Sequence, residues 1–457
     1  MGAGSRTREP LHPAVFGTVL LLLVSVGRLP ELVPPLGALQ LGNVAVVLGV
    51  FGLLMGQRKD DVPVLQTSMG KLLALFVLLA ALSVGFSVWN SGSLQAFLTS
   101  VVTNAVMFYL VARTANSPRM LQIYAGTLVV SGAMLAFEAV AVYTSGRVQI
   151  DTAYDANDLA MVLVTILPLA VGGILARRGP PRWALACIAI VMLLTVLLTG
   201  SRGGILGLMA VVGYLLFARF PRPTGRRSSR GLSFGKVAVI AGGGILLVAA
   251  MPQFTLERMA TLTNLESDYN MASDSGRIAI WTRGLEGMVA RPWGHGIGTF
   301  GMVEMQQGGR FKAAHNIWIE VGVELGVAGV ALLFGMFWRL ARTATRVATQ
   351  AFVELDSNDR APPNIRQIAT LAVALKGSLL GFFVTSMFLS AIHMGIIFAL
   401  LALAAGLERQ EWALAQGESS PGASGGNART FRRGRTGHGA APFPGRQARA
   451  RGRSWTR

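Results

Sequence analysis

Residues 159–176 read LAMVLVTILPLAVGGILA, an apolar run without a charged side chain that ends at Arg177 and Arg178. An α-helix needs about 20 mainly apolar residues to cross the hydrocarbon core of a bilayer, and this run approaches that length. A second run, WALACIAIVMLLTVLLT over 183–199, follows after a short basic connection. Two such runs in succession predict consecutive membrane-spanning helices.

The composition extends this prediction to the whole chain. It is 52% hydrophobic and 14% charged, whereas soluble domains carry about 25% charged residues. Lys and Arg number 41 against 22 Asp and Glu, but repeated apolar runs exclude a soluble nucleic-acid-binding protein. Cys187 is the single cysteine, which rules out an intrachain disulfide and a cysteine-based metal site. The continuous runs favour helices over an outer-membrane barrel, so we expect an all-α polytopic membrane protein.

About 12 apolar windows of helix length occur along the chain. They cover 13–33, 36–55, 72–89, 94–112, 120–143, 159–176, 183–199, 204–220, 236–251, 317–338, 368–388 and 391–407. Lys and Arg recur in alternate connections, and such residues favour the cytoplasmic side of a membrane. The pattern predicts that both termini are cytoplasmic and that the long segment 252–316 is an external, partly helical loop.

The chain divides into two regions of different composition. Residues 1–407 hold the apolar windows and form the predicted membrane domain. Residues 408–457 are rich in Gly, Ser, Pro and Arg, which predicts a disordered basic cytoplasmic tail. Anionic lipid headgroups are the expected partner of this tail, and nucleic acid is not.

Two arginines depart from the charge pattern on the external side. Arg202 lies within Gly200-Ser201-Arg202-Gly203-Gly204, where glycines allow close approach of a bulky group. Arg277 opens a predicted helix inside 252–316, with Trp281 one turn further on. A guanidinium offers a fork of donors suited to phosphate oxygens. The structural alternatives are a tight turn at the headgroups for Arg202 and a solvated position on an amphipathic helix for Arg277.

A third group of polar residues surrounds the start of the tenth window. His315 and Asn316 precede it, and Glu320 and Glu324 lie one turn apart just inside it. Burial of two carboxylates at this depth costs several kcal/mol unless they are paired. Lys376 and His393, in the last two windows, are candidate partners for them, or side chains that extend to the membrane surface.

Asn157 and Asp158 stand immediately before the sixth window. They either cap that helix or point into the same external pocket as the arginines. The sequence leaves both interpretations open.

Together these segments resemble the O-antigen ligase and polymerase superfamily of bacterial membrane glycosyltransferases. The resemblance covers about residues 155–330 and is carried by short motifs in the expected order. These are Asn157-Asp158-Leu159-Ala160, Gly200-Ser201-Arg202-Gly203-Gly204, Gly276-Arg277 with Trp281, Pro292 with Gly294-His295-Gly296, and His315-Asn316 followed by Glu324-Leu325-Gly326.

The resemblance implies a donor glycan carried on undecaprenyl pyrophosphate and transfer at the external face of the bacterial inner membrane. It further implies that Arg202 and Arg277 bind the pyrophosphate and that His315 acts near the acceptor hydroxyl, with Glu320 as a second candidate base. Supporting roles are predicted for Ser201, Asn157, Asp158, Trp281, Asn316 and Glu324.

We expect inversion at the anomeric carbon, with no metal and no cofactor. Residues 30–35 contain only one acid, Glu31, whereas metal-dependent oligosaccharyltransferases of related architecture have paired acids there.

The modest external loop and the superfamily motifs favour a ligase, with a polymerase as the alternative. Lipid A–core would make the protein a ligase, and another lipid-linked repeat would make it a polysaccharide polymerase; the motifs are shared by both. A transporter or flippase for polysaccharide lipids is the alternative from a different class. Transport predicts polar residues spread through several helices at mid-membrane depth, whereas here most unusual charges lie near one boundary.

Overall fold

The computed structural model describes residues 13–56, 63–144, 146–150, 153–221, 251, 253–260, 273, 276–357 and 363–417. Within these ranges every regular element is a helix, and an isolated bridge joins Ile150 to Tyr154. The predicted all-α class is therefore confirmed for the described part of the chain. The described residues as far as Leu414 belong to one compact unit.

The described residues form a succession of helices. In chain order they are α1 (Ala14–Ser25), α2 (Leu29–Leu32), α3 (Leu41–Met55), α4 (Ser68–Gly85), α5 (Asn90–Ala96), α6 (Thr103–Thr114), α7 (Pro118–Ala141), α8 (Ala156–Ala176), α9 (Pro180–Leu198), α10 (Arg202–Phe217), α11 (Gln253–Ala260), α12 (Arg277–Ala290), α13 (Phe300–Gln306), α14 (Ile317–Ser357), α15 (Pro363–Ser386) and α16 (Gly395–Gly417). A π-helical turn, Phe97–Val102, joins α5 to α6.

Among the described residues, seven helices are long and apolar enough to cross a membrane. They are Ser68–Gly85, Asn90–Thr114, Pro118–Ala141, Ala156–Ala176, Pro180–Leu198, Ile317–Ser357 and Asn364–Ser386. The helices α1, α3 and α10 are apolar but shorter. Each predicted window other than 236–251 overlaps at least one helix, and nearly all of that window lies outside the described residues. The chain is thus a membrane protein, while the total of about 12 spans and their orientation stay predictions.

Helix α8 holds one of the predicted site motifs at its start. A side-chain oxygen of Asp155 accepts hydrogen bonds from the backbone N–H groups of Asn157 (2.6 Å) and Asp158 (2.8 Å). These contacts satisfy two of the amides that the first turn of a helix leaves without partners. The helix is apolar on all sides and packs against α7, α9, α10 and α15, as expected for a helix enclosed in a membrane bundle.

Helix α14 is interrupted at Gly326, whose φ of +67° departs from helical geometry. The N–H of Val327 donates a 2.9 Å hydrogen bond to the carbonyl of Pro292 at this break. A Cβ at Gly326 would lie 2.1 Å from the same carbonyl oxygen, so a glycine is required for the loop to approach the helix. The motifs 292–296 and 324–326 therefore pack against each other.

Helix α16 continues beyond residue 407, where the sequence predicted the start of a disordered tail. Glu408 is buried, and its carboxylate accepts hydrogen bonds from the backbone N–H of Met69 (3.2 Å) and the Nε of Arg339 (2.5 Å). These contacts tie the extended helix to α4 and α14, so helix replaces the predicted disorder as far as Gly417. Residues 418–457 lie outside the described residues, and the division into membrane domain and tail stays a prediction.

Candidate functional site

A cavity of about 420 Å³ collects most of the residues that the sequence singled out. Its lining includes the predicted Arg202, Arg277 and His315, together with Asn157 and Ser201. The remaining lining residues among those described are Arg147, Gly203, Arg258, Ser273, Ile280, Lys312, Phe388 and Leu389. Residues from separate motifs thus share one site, although their roles in it stay predictions.

The wall around Arg202 is the connection between α9 and α10. Gly200 has a φ of +56°, a left-handed conformation that glycine adopts without steric cost. The Oγ of Ser201 accepts a 3.2 Å hydrogen bond from the N–H of Gly204 and caps α10. This turn makes Arg202 the first residue of α10, where backbone amides and the helix dipole also favour binding of an anion.

Two further arginines hold the carbonyl groups of the same connection. The Nε of Arg147 donates to the carbonyl of Thr199 (2.9 Å), and the Nε of Arg258 donates to the carbonyl of Gly200 (3.1 Å). Arg147 also donates through Nη2 to the Oδ1 of Asn157 (2.9 Å). The segment before α8, the turn before α10 and helix α11 are therefore linked through guanidinium groups.

The cavity is strongly cationic. Arg147, Arg202, Arg258, Arg277 and Lys312 line it, and none of the lining residues that the structure describes is acidic. Burial lowers the pKa of Arg147, and the nearby positive charge of Arg258 lowers it further. Like charges gathered in a half-buried cavity repel one another, and a bound polyanion would relieve this repulsion.

Arg277 begins α12 and faces the cavity with Ile280. Trp281, on the next turn, donates from its indole Nε1 to the carbonyl of Ala314 at 2.9 Å. The same helix therefore carries an arginine of the cavity and fixes the backbone next to His315. The supporting role of Trp281 stays a prediction.

His315 lies on a constrained backbone at the cavity wall. Its φ is +49°, uncommon for a residue with a Cβ. Its N–H donates to the Oγ of Ser390 (3.1 Å), and the Oδ1 of Asn316 accepts from the N–H of Trp318 (3.0 Å) at the start of α14. Burial lowers the pKa of His315, and the charge of Arg277 lowers it further. The imidazole is therefore neutral at neutral pH and can accept a proton.

The carboxylates predicted near His315 lie behind the cavity wall. Glu320 and Glu324 are 5% and 2% exposed, and neither appears in the cavity lining. The Oε1 of Glu324 accepts a 3.2 Å hydrogen bond from the N–H of Phe300. Asp158 is half-buried on α8 and is likewise absent from the lining. Their predicted roles stay predictions.

Sequence reasoning did not identify Arg147, Arg258 and Lys312. All three fall in segments that the charge pattern predicted to be external, so the rule that singled out Arg202 would also have selected them. Two other arginines of the long segment, Arg283 and Arg291, have structural contacts instead. Arg283 pairs with buried Glu304 (Nε to Oε1, 2.9 Å), and Arg291 donates to the carbonyl of Phe86 (2.8 Å).

The fold and the cavity together define a class of protein. It is a helical membrane protein with a polycationic site at the ends of its apolar helices, and the site includes the neutral histidine His315.

A more specific assignment comes from comparison with known families. Residues 187–334 match the family described as O-antigen ligase. The match over these residues confirms the resemblance seen in the sequence. It contains Arg202, Arg277 and His315, whereas Arg147, Asn157 and Phe388 lie outside it. The family supports a ligase-like, glycosyltransferase-like role in polysaccharide biosynthesis. A comparison with curated proteins finds no match.

Proposed function

We propose that this protein transfers a glycan from an undecaprenyl-pyrophosphate carrier to an acceptor hydroxyl at the periplasmic face of the bacterial inner membrane. The observation that carries the proposal is that five cationic side chains line the same cavity as His315. A pyrophosphate diester is a compact polyanion, and its charge increases when the glycan leaves. The cations therefore stabilise the charge of the leaving group more strongly in the transition state than in the ground state.

The proposed reaction is an in-line displacement at the anomeric carbon. The oxygen of the acceptor hydroxyl forms a bond to this carbon, while the bond from the carbon to the phosphate oxygen breaks. The bonding electron pair leaves with undecaprenyl pyrophosphate, and the proton of the hydroxyl moves to the neutral imidazole of His315. Attack opposite the leaving group inverts the configuration.

Arg202 and Arg277 bind the pyrophosphate oxygens in this proposal. Both stand at helix starts, so backbone amides supplement their guanidinium groups. Arg147 and Arg258 hold the connection that carries Arg202, and Lys312 adds charge beside His315. The transfer step needs no metal or cofactor, because these side chains supply the positive charge that a metal ion would otherwise provide.

The lead acceptor is lipid A–core, which would make the protein a ligase. Phe388 and Leu389 give the cavity an apolar wall beside its cationic one, which suits substrates whose polar groups are attached to lipid. The same wall would suit a growing lipid-linked glycan in a polymerase, so an assay of acceptor choice must decide between the two.

The test is reconstitution of the full chain in proteoliposomes with an undecaprenyl-pyrophosphate-linked repeat. One arm contains lipid A–core and the other contains only additional lipid-linked repeat. The proposal predicts glycosylated lipid A–core and release of undecaprenyl pyrophosphate in the first arm. Longer lipid-linked glycans in both arms, with unmodified lipid A–core, would assign a polymerase. Movement of the donor between leaflets without any new glycosidic bond would assign a flippase and overturn the proposed transfer.

A further inference from the structure

A second cluster of ionisable side chains lies behind the wall of the cationic cavity. Glu320 and Glu324 occupy successive turns of α14, and His393 lies in the connection between α15 and α16. One ligand atom from each of the three residues lies within 4.8 Å of the other two. The transfer reaction proposed above makes no use of this cluster.

Each carboxylate has one partnered and one unpartnered side. Glu324 accepts a hydrogen bond from Phe300 through Oε1 (3.2 Å), and Glu320 is hydrogen-bonded to the side chain of Ser390 and the backbone of Ile392. The Oε2 atoms of both glutamates are buried and have no hydrogen-bond partner in the described part of the chain. The same holds for the Nδ1 of His393. Buried polar atoms of this kind are rare unless they bind something.

We propose that Glu320, Glu324 and His393 bind a divalent transition-metal ion, Zn²⁺ or Mn²⁺. Two carboxylates and one imidazole form a donor set that such ions accept. Metal–ligand bonds of about 2.0–2.2 Å place neighbouring ligand atoms on the order of 3–4 Å apart. The ligand atoms of the cluster all lie within 4.8 Å of one another, so small side-chain adjustments around an ion would bring them to these separations.

Charge balance gives an independent argument for a dication. Two ionised carboxylates inside a membrane helix repel one another and lose their hydration, so the pair is costly without a positive partner. Lys376, a partner suggested by its position in the sequence, lines a different cavity with Arg219 and Asp356. A divalent ion would neutralise both glutamates, and neutral His393 would complete its protein ligands.

The ion would have a positioning role for the cavity. The connection that carries His393 also carries Phe388 and Leu389 of the cavity wall, and Ser390, whose Oγ accepts from the N–H of His315. A metal bridge between α14 and this connection would fix the distance between these residues and the start of α14. The ion lies behind the wall and takes no part in the bond-making step.

Metal content of the intact protein tests the proposal directly. The full chain is purified in detergent with a tag that contains no histidine and without chelator, and its metals are measured by inductively coupled plasma mass spectrometry. We expect about one Zn²⁺ or Mn²⁺ per chain, as for a single site with three protein ligands. Glu324→Gln and His393→Gln should each reduce the content to near zero. In Glu324→Gln the amide oxygen can still accept from Phe300, so the local fold is retained.

Glu138→Gln is the matched control, because Glu138 is a half-buried carboxylate of membrane helix α7 outside the cluster. It should retain the full metal content. Thermal unfolding of each variant is followed with and without added ZnCl₂ or MnCl₂. After their metal has been removed, the wild type and the control should be stabilised when ZnCl₂ or MnCl₂ is added. The unfolding temperatures of the cluster variants should not change on addition of either salt.

Two results would overturn the proposal. Wild-type protein that contains no metal and gains no stability from either salt would show that the carboxylates share a proton instead. Equal metal content in the wild type and both cluster variants would place the ion elsewhere. Neither result bears on glycan transfer, which is measured separately.

Discussion

The indole Nε1 of Trp281 donates a 2.9 Å hydrogen bond to the carbonyl oxygen of Ala314. Through this contact, helix α12 holds the residue that precedes His315. The backbone of His315 is in a left-handed conformation that costs about 1–3 kcal/mol outside glycine and must be maintained by its surroundings. The Trp281 contact on one side and Ser390 on the other provide that support.

Trp281→Phe should lower kcat for glycan transfer about tenfold, because it removes the donor while keeping an aromatic ring. Donor binding should change little, since the cationic residues remain. Transfer rates and donor affinity measured in parallel separate these effects. Trp183→Phe, at an exposed tryptophan of α9, is the control. Unchanged kcat in Trp281→Phe would mean that this hydrogen bond does not position His315 for the reaction.

Arg277→Ala, Arg202→Ala and His315→Ala should each reduce transfer by about 100-fold or more, the usual effect of removing a group that stabilises transition-state charge or transfers a proton. Arg277→Lys should also be impaired, because an ammonium group cannot reproduce the bidentate fork. Membrane insertion and the size-exclusion profile should match those of the wild type. Arg310→Lys tests an exposed arginine that does not line the cavity and should retain activity. Full transfer by purified Arg277→Ala and His315→Ala would refute the proposed mechanism.

Arg147→Lys tests an arginine that sequence reasoning did not identify. Lysine keeps the charge but cannot donate simultaneously to Thr199 and Asn157 in the same planar geometry. Loss of these charge-assisted hydrogen bonds should lower kcat/KM about tenfold or more. Asn157→Ala removes one of the two partners and should have a smaller effect. If Arg147→Lys has wild-type kcat/KM, charge alone accounts for the contribution of Arg147.

The helices could be predicted from hydropathy because membrane insertion requires long apolar runs, whatever their tertiary contacts. The shared location of Arg202, Arg277 and His315 was predictable from motif order and from departures in the charge pattern. The contacts of Arg147 with Thr199 and Asn157 were not predictable. Periodicity does not reveal that the segment before α8 packs on the connection after α9. His393 was a candidate partner for Glu320 and Glu324, and only tertiary structure distinguishes it from Lys376.

The glycine motifs show a similar limit. The sequence presents two separate family motifs, Pro292 with Gly294-His295-Gly296 and Glu324-Leu325-Gly326. The structure shows that they are two halves of one backbone contact, with the N–H of Gly296 donating to the carbonyl of Glu324 (2.9 Å). Residues this far apart in sequence carry no local signal that they will meet.

At acidic pH, kcat/KM should fall as a group is protonated whose pKa lies below the ordinary histidine pKa of about 6.5. Burial and the charge of Arg277 both favour neutral His315, so its pKa is lowered. A base with a lowered pKa remains competent as pH falls from 7 and loses activity only when pH passes through the lowered value. Lys312 also lowers this pKa, and Lys312→Gln should therefore move the acidic limb to higher pH. A limb that stays in place, or shifts to lower pH, would assign the titration to a group other than His315.

Gly326→Ala should destabilise the protein, because alanine is strained at a φ of +67° and its Cβ would lie 2.1 Å from the carbonyl oxygen of Pro292. The loop 292–299 would have to withdraw from α14, at a cost of about 1–3 kcal/mol or more for the backbone strain alone. Thermal unfolding in detergent measures this effect. Gly126→Ala, in helix α7 with open space around the added Cβ, should have a neutral or slightly stabilising effect. Because the displaced loop also contacts the turn that bears Glu324, Gly326→Ala should lower glycan transfer even at temperatures where the variant remains folded.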